Sequence, residues 1–599
     1  MVTENQPAAF APPTAFRGLA AFALWAATLA LALLVFLPPL LEHARTTGEP
    51  TVLPRGAAQH LAPYMIDPAD RDLIATYFRD VHPLGYRWLL NYFVSDLDHG
   101  TYGHLAPYFL LALILMILAW GVHTTAGWSG VLIVIVLGIA SDGLLDKLAG
   151  GTPRAYAPLV VALTAAGLLR GRPLLLILGI LISALFYPPM IVASGLALAG
   201  FMALPPSHRG CAAPWSPARR YLFLGLLAAT SLALLFPVVQ RSAVHGPTLT
   251  RPMLHQYPEA MNGGRLDRPD RIDTRARVLS AYRHALPELL IGQGRPLAPA
   301  LRALLETRDF GLREPWRLRV FLGAVHLLIF AGFLGLCITT PAARRLGIYL
   351  LAIALATWLA NLLSPRLFLP SRHAGYAFPV LMLILIPMGL RGLARFFLGQ
   401  ASGTWIRRHQ PWMTSVFTVL FAAFLLLSLG NRVHPEAGHE RISRNHVRLL
   451  LALHNLPPES LIAGWPTLLD PVTPLTGHRV LINHHVNLPY HLKYTEEMRR
   501  RMIATIEAMY ATGPGPFLAL AETWGVTHLV LAKDHFLRPP TYHAPYLFLA
   551  ALAAQRIQHT HPYLFNLPRA AIVFENTDFL IIDLDRLRWS MATSSLPPS

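Results

Sequence analysis

The chain has 599 residues, of which 54% are hydrophobic and only 14% charged, and its mean hydropathy is +0.44. This composition excludes a soluble globule of that size and indicates a polytopic membrane protein. The formal net charge of +18 does not indicate a nucleic-acid-binding surface, because the basic residues other than Lys147, Lys493 and Lys533 are arginines spread through loops, the pattern of membrane topology.

A helix needs about 20 apolar residues to cross a hydrocarbon core of roughly 30 Å, since lipid offers no partner for an open backbone amide. By that criterion eleven spans are expected after a cytoplasmic tail at 1–16. They lie near 17–41, 105–123, 128–143, 155–170, 173–188, 189–204, 221–239, 317–339, 346–363, 374–391 and 411–430. Arginine collects in "RGR" (170–172), "HRGCAAPWSPARR" (208–220), "ARR" (343–345) and "RGLARFFLGQASGTWIRRHQ" (391–410), which puts those turns and the N-terminus in the cytoplasm. The loops at 42–104 and 240–316 then face outward, with everything after 431. Cys211 and Cys337 fall in a cytoplasmic loop and a span, so no disulfide framework is implied.

The first outer loop contains "MIDPADRDLIATYF" (65–78), with Asp67, Asp70 and Asp72 close together. Asp67 is placed as a helix cap, Pro68 at the first helical position and Asp70 as the second half of a capping box, which leaves Asp72 without capping duty. Leu73, Ile74, Tyr77 and Phe78 form an apolar stripe expected to lie on the membrane surface or the bundle. The helix N-terminus is expected to lower the carboxylate pKa values and keep them ionised. Later, Asp142 and Asp146 share one face at the outer end of a span, where helix-end solvation explains them as well as a polar cavity does.

An ionised carboxylate at a membrane surface can act as a base toward a hydroxyl or hold a metal. Sugar transfer from a lipid carrier needs such a base, and a cation for the departing phosphate. Arginine suits the second task because its planar fork binds two phosphate oxygens. The candidates are Arg366 and Arg372 in "SPRLFLPSRHAGYAFP", Arg87 in "HPLGYRWLL", Arg154 in "GGTPRAYAP" and Arg265 in "GGR", where a glycine turn follows Glu259.

The tail from 431 to 599 reads as a separate soluble α/β domain. "SLIAGWP", "RVLIN" and "THLVLAK" have strand character, and "TEEMRRRMIATIEAMYA" is a helix pattern behind a Thr cap. The close, "AAIVFENTDFLIIDLDRL", is a hairpin pattern turning at "ENTD". His478, His484, His485 and His491 make a histidine-rich patch without metal-ligand spacing.

The multi-span layout, the acidic first loop followed by "YFRDVHPLGYRWLL", and the stretches "GGTPRAYAPLVVAL", "LFYPPM", "LPSRHAGYAFPVL" and "LPYHLKYTEEMRRR" together resemble the GT-C class of membrane glycosyltransferases. That resemblance implies an α-helical polytopic fold at 17–430 with an outward α/β domain. It also implies inverting transfer of a sugar from a polyprenyl-phosphate or pyrophosphate carrier to a glycan, lipid or protein acceptor, at a bacterial inner membrane. The essential acid is then sought in the first loop, at Asp72 or Asp67, with Asp70 mainly structural. A divalent cation, Mg²⁺ or Mn²⁺, stays open: Asp70-Arg71-Asp72 has Asp-x-Asp spacing, but no strict metal motif can be assigned. Two other classes fit the composition: an O-antigen polymerase or ligase, whose basic residues would sit in the middle outer loop at Arg283, and a transporter or non-catalytic scaffold. A transporter should carry charges at mid-span, whereas the charges here sit mainly at span ends.

Overall fold

The computed structural model describes residues 37–205, 216–257, 315–363, 370–399, 437–536 and 547–594, save 50, 55, 71, 95–97, 255, 489 and 560–565, with a few further residues at 26–34 and 278–281. After a helical stretch at 37–47 the chain enters the first loop, with β1 (Val52–Pro54), α1 (Leu73–Val81) and α2 (Leu84–Trp88). The helical bundle follows as α3 (His99–Ile139), α4 (Asp142–Leu148), α5 (Ala157–Arg170), α6 (Pro173–Phe186), α7 (Met190–Ala203), α8 (Pro217–Ser242), α9 (Pro315–Thr339), α10 (Pro341–Leu362) and α11 (Pro370–Gly399).

α3 is two arms folded at Gly127, whose φ of 66° and ψ of −162° suit glycine alone. Gly138 on the second arm abuts Leu115 on the first, so the spans expected at 105–123 and 128–143 are the two arms of one helical hairpin. Among the described residues four helices are long and apolar enough to cross a membrane: His99–Ile139, Ala218–His245, Pro341–Leu362 and Pro370–Phe397. α6, α7 and Gly323–Thr339 are apolar but shorter. A helix of 14 residues, such as α6, rises only about 21 Å at 1.5 Å per residue, which separates these elements from the full spans expected. The expected span at 17–41 lies partly, and that at 411–430 wholly, outside the described residues.

The outer faces of these helices carry Phe109, Leu232, Ile338 and Leu351, all exposed, which is the surface of a protein solvated by lipid. α5 is the central element, buried on every side from Ala157 to Leu169. At one end of the bundle, arginines satisfy helix C-terminal carbonyls: Arg170 Nε donates to Trp120 O at 2.9 Å, Arg345 Nη2 to Leu169 O at 2.8 Å, and Arg391 to Thr125 O. This is the end the sequence assigns to the cytoplasm.

At the other end lies the α/β domain, with β2 (His439–Arg441), α12 (Arg444–His454), β3 (Leu461–Gly464), β4 (Arg479–Val480), α13 (Leu492–Met509), α14 (Gly515–Trp524), β5 (His528–Ala532), α15 (Leu547–His559), β6 (Ile572–Glu575), β7 (Phe579–Asp583) and α16 (Leu584–Ser594). Its sheet has the order β4-β3-β5-β7-β6. β3 is parallel to β4 and β5, and β7 runs antiparallel to β5 and β6. The hairpin expected around "ENTD" is β6-β7. The Thr cap expected for α13 is not formed: the helix starts earlier, behind His491, and the Thr495 hydroxyl donates to His491 O inside the first turn.

The domain does not close its core alone. Ile74, Tyr77 and Phe78 of α1 are buried with Leu449, Trp465, Met498 and Tyr494 in one cluster, and Tyr77 stacks on Tyr494 with ring centroids 3.6 Å apart. The apolar stripe of α1 therefore packs mainly into the core of the α/β domain, where aromatic partners of matching shape receive it, while Tyr77 also touches His245 at the outer end of α8. β1 pairs antiparallel with β2, Val52 opposite Arg441, which adds a backbone tie.

In the bundle, α9 and α11 cross backbone to backbone, with Gly332 against Gly389 and Gly392. Gly389→Val is expected to lower the melting temperature in detergent through an overpacking cost of about 1–3 kcal/mol or more, whereas Gly335→Val, where the added side chain meets open space, should leave it unchanged.

Candidate functional site

The three loop aspartates divide differently from their sequence reading. Asp67 Oδ1 accepts from the Ala69 amide at 2.8 Å in an exposed turn, and Pro68–Asp70 is a single 3-10 turn. Asp72 caps α1, its Oδ1 accepting from the Ala75 amide at 2.8 Å. The expectation that Asp72 has no capping duty is thereby overturned: Pro68 starts a short turn that ends before the helix, so the cap falls one turn later. The expectation that the helix N-terminus holds it well ionised fails as well. Burial raises the Asp72 pKa above its ordinary value, more than the Ala75 amide and the charges of Arg501 and Arg479 lower it. Asp72 faces the α/β domain, beside Arg479 and Asn483.

Of the predicted arginines that the structure describes, Arg372 and Arg154 both lie near Tyr187, and Arg87 lies near Tyr64. Arg372 stands in the first turn of α11, where its Nη1 donates to the Tyr376 hydroxyl at 2.6 Å. The Tyr376 ring lies against Tyr187, with centroids 5.7 Å apart. Tyr187 ends α6 in the "LFYPPM" turn, and its hydroxyl is buried. Arg372, Arg154 and Tyr490 are its charged or polar neighbours, the last reaching in from the α/β domain. Arg154 comes from the 3-10 turn Pro153–Tyr156 and approaches Gly56 together with His60.

His60 leads to Arg87. Its Nδ1 lies 2.9 Å from His82 Nε2, and His82 Nδ1 lies 3.0 Å from the Tyr64 hydroxyl. Tyr64 in turn has Arg87, Arg79, Arg241 and Asp80 as charged neighbours. Arg87 Nη1 is buried without a hydrogen-bond partner among the described residues, as are Arg241 Nη2 and the Tyr86 hydroxyl. Among those residues no carboxylate pairs with Arg372 or Arg87. A guanidinium held away from solvent with no counter-charge is costly, and an anion bound at this end of the bundle would offset that cost.

Asp80, at the end of α1, is a carboxylate neighbour of Tyr64 and Arg241. Its Oδ2 accepts from His245 Nε2 at 2.9 Å. Asp80 and His82 belong to the stretch "YFRDVHPLGYRWLL", and Tyr187, Tyr376 and Tyr490 to the other stretches that carry the resemblance, but none was singled out as a site residue. The signal was the convergence of those stretches, which only the fold supplies. Arg366 and Arg265, with Glu259 and Arg283, lie outside the described residues. No group of three or more histidines, cysteines or carboxylates is gathered as a metal site among the described residues. In the histidine patch, His485 lies 3.8 Å from Asp470 and His491 Nδ1 lies 3.0 Å from the Tyr77 hydroxyl.

No family model and no curated protein matches this chain. Among solved structures it is similar to the apo oligosaccharyltransferase of Archaeoglobus fulgidus, with a TM-score of 0.47 and 11% identity, over 86% of this chain and 70% of that one. It is also similar to that enzyme tethered with an acceptor peptide containing the NVT sequon, with a TM-score of 0.47 and 11% identity over 89% and 71% of the two chains. ArnT from Cupriavidus metallidurans bound to undecaprenyl phosphate gives a TM-score of 0.44 and 13% identity over 96% and 98%. At these scores and identities the likenesses assign no residue and no reaction here.

Two predictions follow from the geometry of the outer region. Asp72→Ala is expected to cost about 0.5–2 kcal/mol of unfolding free energy through the lost cap, and Asp70→Ala, whose side chain caps nothing, less than about 0.5. Burial pushes His82 down to about 3, with the Arg87 charge adding to the effect, and pushes His446 and His491 down to about 4, from 6.5. The unfolded chain thus binds more protons. The stability these neutral histidines contribute is complete above pH 6.5 and is lost as pH falls from there toward 4, by about 1.4 kcal/mol per histidine and pH unit. Denaturant unfolding of the detergent-solubilised protein between neutral pH and about pH 5 checks this sign.

Proposed function

We propose that this chain is a membrane glycosyltransferase of GT-C type that moves a sugar from a polyprenyl-phosphate carrier to an acceptor hydroxyl. The observation that carries the reading is the Arg372 guanidinium, buried among tyrosines beside Arg154 at the mouth of an apolar helical bundle with no carboxylate partner among the described residues. A lipid phosphate fits that position: its chain lies along the lipid-facing helices and its head group supplies the missing anion.

In this reading Asp80, in place of the capping residues Asp72 and Asp67, takes the proton of the acceptor hydroxyl as its oxygen bonds to the anomeric carbon. The bond between that carbon and the phosphate oxygen breaks on the opposite face, and its electron pair leaves on the phosphate. Arg372 and Arg154 hold the charge that develops there. Arg87 and Arg241 raise the positive potential of the same region. No step is routed through a metal.

Transfer measured in proteoliposomes from a polyprenyl-phosphate-linked sugar tests the reading. Asp80→Asn should lower kcat by roughly 10²–10⁴-fold with the fold intact. Arg372→Lys should weaken carrier binding about tenfold or more, since a point charge replaces the fork. Full activity of Asp80→Asn together with loss in Asp72→Asn would return the base to the cap of α1. Loss in Arg283→Ala with Asp80→Asn active would favour a ligase.

A further inference from the structure

Asp80 is held by a structure that spans three parts of the chain. His245, which donates to it, closes the outer end of α8 and is buried. Next to it Gly246 takes a φ of 93°, and the chain runs on beside the start of α13. Leu249 N donates to Tyr490 O at 2.8 Å, Leu492 N donates to Pro247 O at 3.0 Å, and Thr248 bridges antiparallel to His491. The segment after His245 is thus tied by one antiparallel bridge to the backbone just before α13. Tyr77 fills the space between: its ring meets His245 edge-on at 5.0 Å, and its hydroxyl lies 3.0 Å from His491 Nδ1. A β-carbon on Gly246 would stand 2.8 Å from Lys493 N, so the two segments approach closely next to His245 and leave no room for a side chain there.

We infer that His245 is a positioning residue for the reaction and that the α/β domain fixes it: the backbone pairing of 247–249 with 490–492 locks the imidazole, which aims the second oxygen of Asp80 at the acceptor hydroxyl. A carboxylate on the last turn of a short helix otherwise rotates freely about its side-chain torsions. One of its oxygens is committed to His245 Nε2, which leaves Oδ1 in a single orientation. The same pairing brings Tyr490 to Tyr187 and Arg372, so one segment of the α/β domain sets both the carboxylate and one wall of the arginine group. This assigns the α/β domain to the catalytic unit, as a structural part of the site and not as an appended module.

The inference rests on the reading of Asp80 as the base, and the variants separate the two. kcat and KM for the lipid-linked donor are measured for His245→Ala, His245→Gln, Gly246→Val and Asp80→Asn in proteoliposomes. His245→Ala should lower kcat by about ten- to a hundredfold with KM for the donor unchanged, as loss of orientation does. His245→Gln, whose amide places an N–H donor near the position of Nε2, should restore most of that loss. Gly246→Val, which alters neither partner of the pair, should lower kcat in the same way. Wild-type kcat in His245→Ala while Asp80→Asn is inactive overturns the inference and leaves the function reading standing. Equal losses in His245→Ala and His245→Gln with a lowered melting temperature also overturn it, by making the residue structural only. Wild-type kcat in Gly246→Val removes the α/β domain from the account. Wild-type activity in Asp80→Asn removes the base itself, and with it both readings.

Discussion

The face of α1 that carries Ile74, Tyr77 and Phe78 has to be buried, and the α/β domain is what buries it. Much of the outer half of the molecule follows from that contact. Because Tyr77 stacks on Tyr494 and bonds His491, the first loop cannot move independently of the C-terminal domain. Because α1 is fixed, its last turn puts Asp80 beside His245, and the loop that follows puts His82 and Arg87 against Tyr64. Three of these contacts bury aromatic surface and polar groups together, a combination that costs far more to break than a surface ion pair.

The bundle contributes the other half of the site by ending helices in polar turns. α6 stops at Tyr187 before Pro188 and Pro189, and the segment before α5 turns through Gly150 and Gly151 to present Arg154. α11 begins at Pro370, with Arg372 in its first turn. A helix start is a poor place for an arginine, since the exposed amides already carry partial positive charge. An anion bound there would complete the arrangement. At the far end Arg170, Arg345 and Arg391 instead bond backbone carbonyls of neighbouring helices. The chain therefore uses one residue type in two ways, and the difference lies in what the guanidinium meets: backbone carbonyls at one end of the bundle, tyrosines at the other.

Much of this was legible in the sequence. Apolar run lengths located the helices of the bundle, and the strand and hairpin patterns after 460 correspond to β3, β4, β5, β6 and β7. The candidate arginines Arg154 and Arg372 both lie near Tyr187 although far apart in the chain, and Arg87 lies near Tyr64. Local rules failed where a tertiary contact decided the outcome. The capping-box reading chose Asp67 and Asp70, whereas the helix starts only where its apolar stripe meets the α/β domain, which gives the cap to Asp72. That stripe looked like a membrane-facing surface because its partner, Tyr494, lies more than 400 residues away. Sequence separation hid Asp80 as well: its partner His245 lies 165 residues away, and no sequence spacing relates them.

The central claim is that an anionic lipid head group occupies the space that Arg372 and Arg154 enclose. A structure of the protein in nanodiscs with added polyprenyl phosphate measures this directly. The account predicts phosphate density within hydrogen-bond distance of both guanidinium groups, with the lipid chain running out between the helices and Asp80 facing the anomeric position. Phosphate density elsewhere on the bundle, with the Arg372–Tyr376 contact unchanged and no lipid near it, would contradict it.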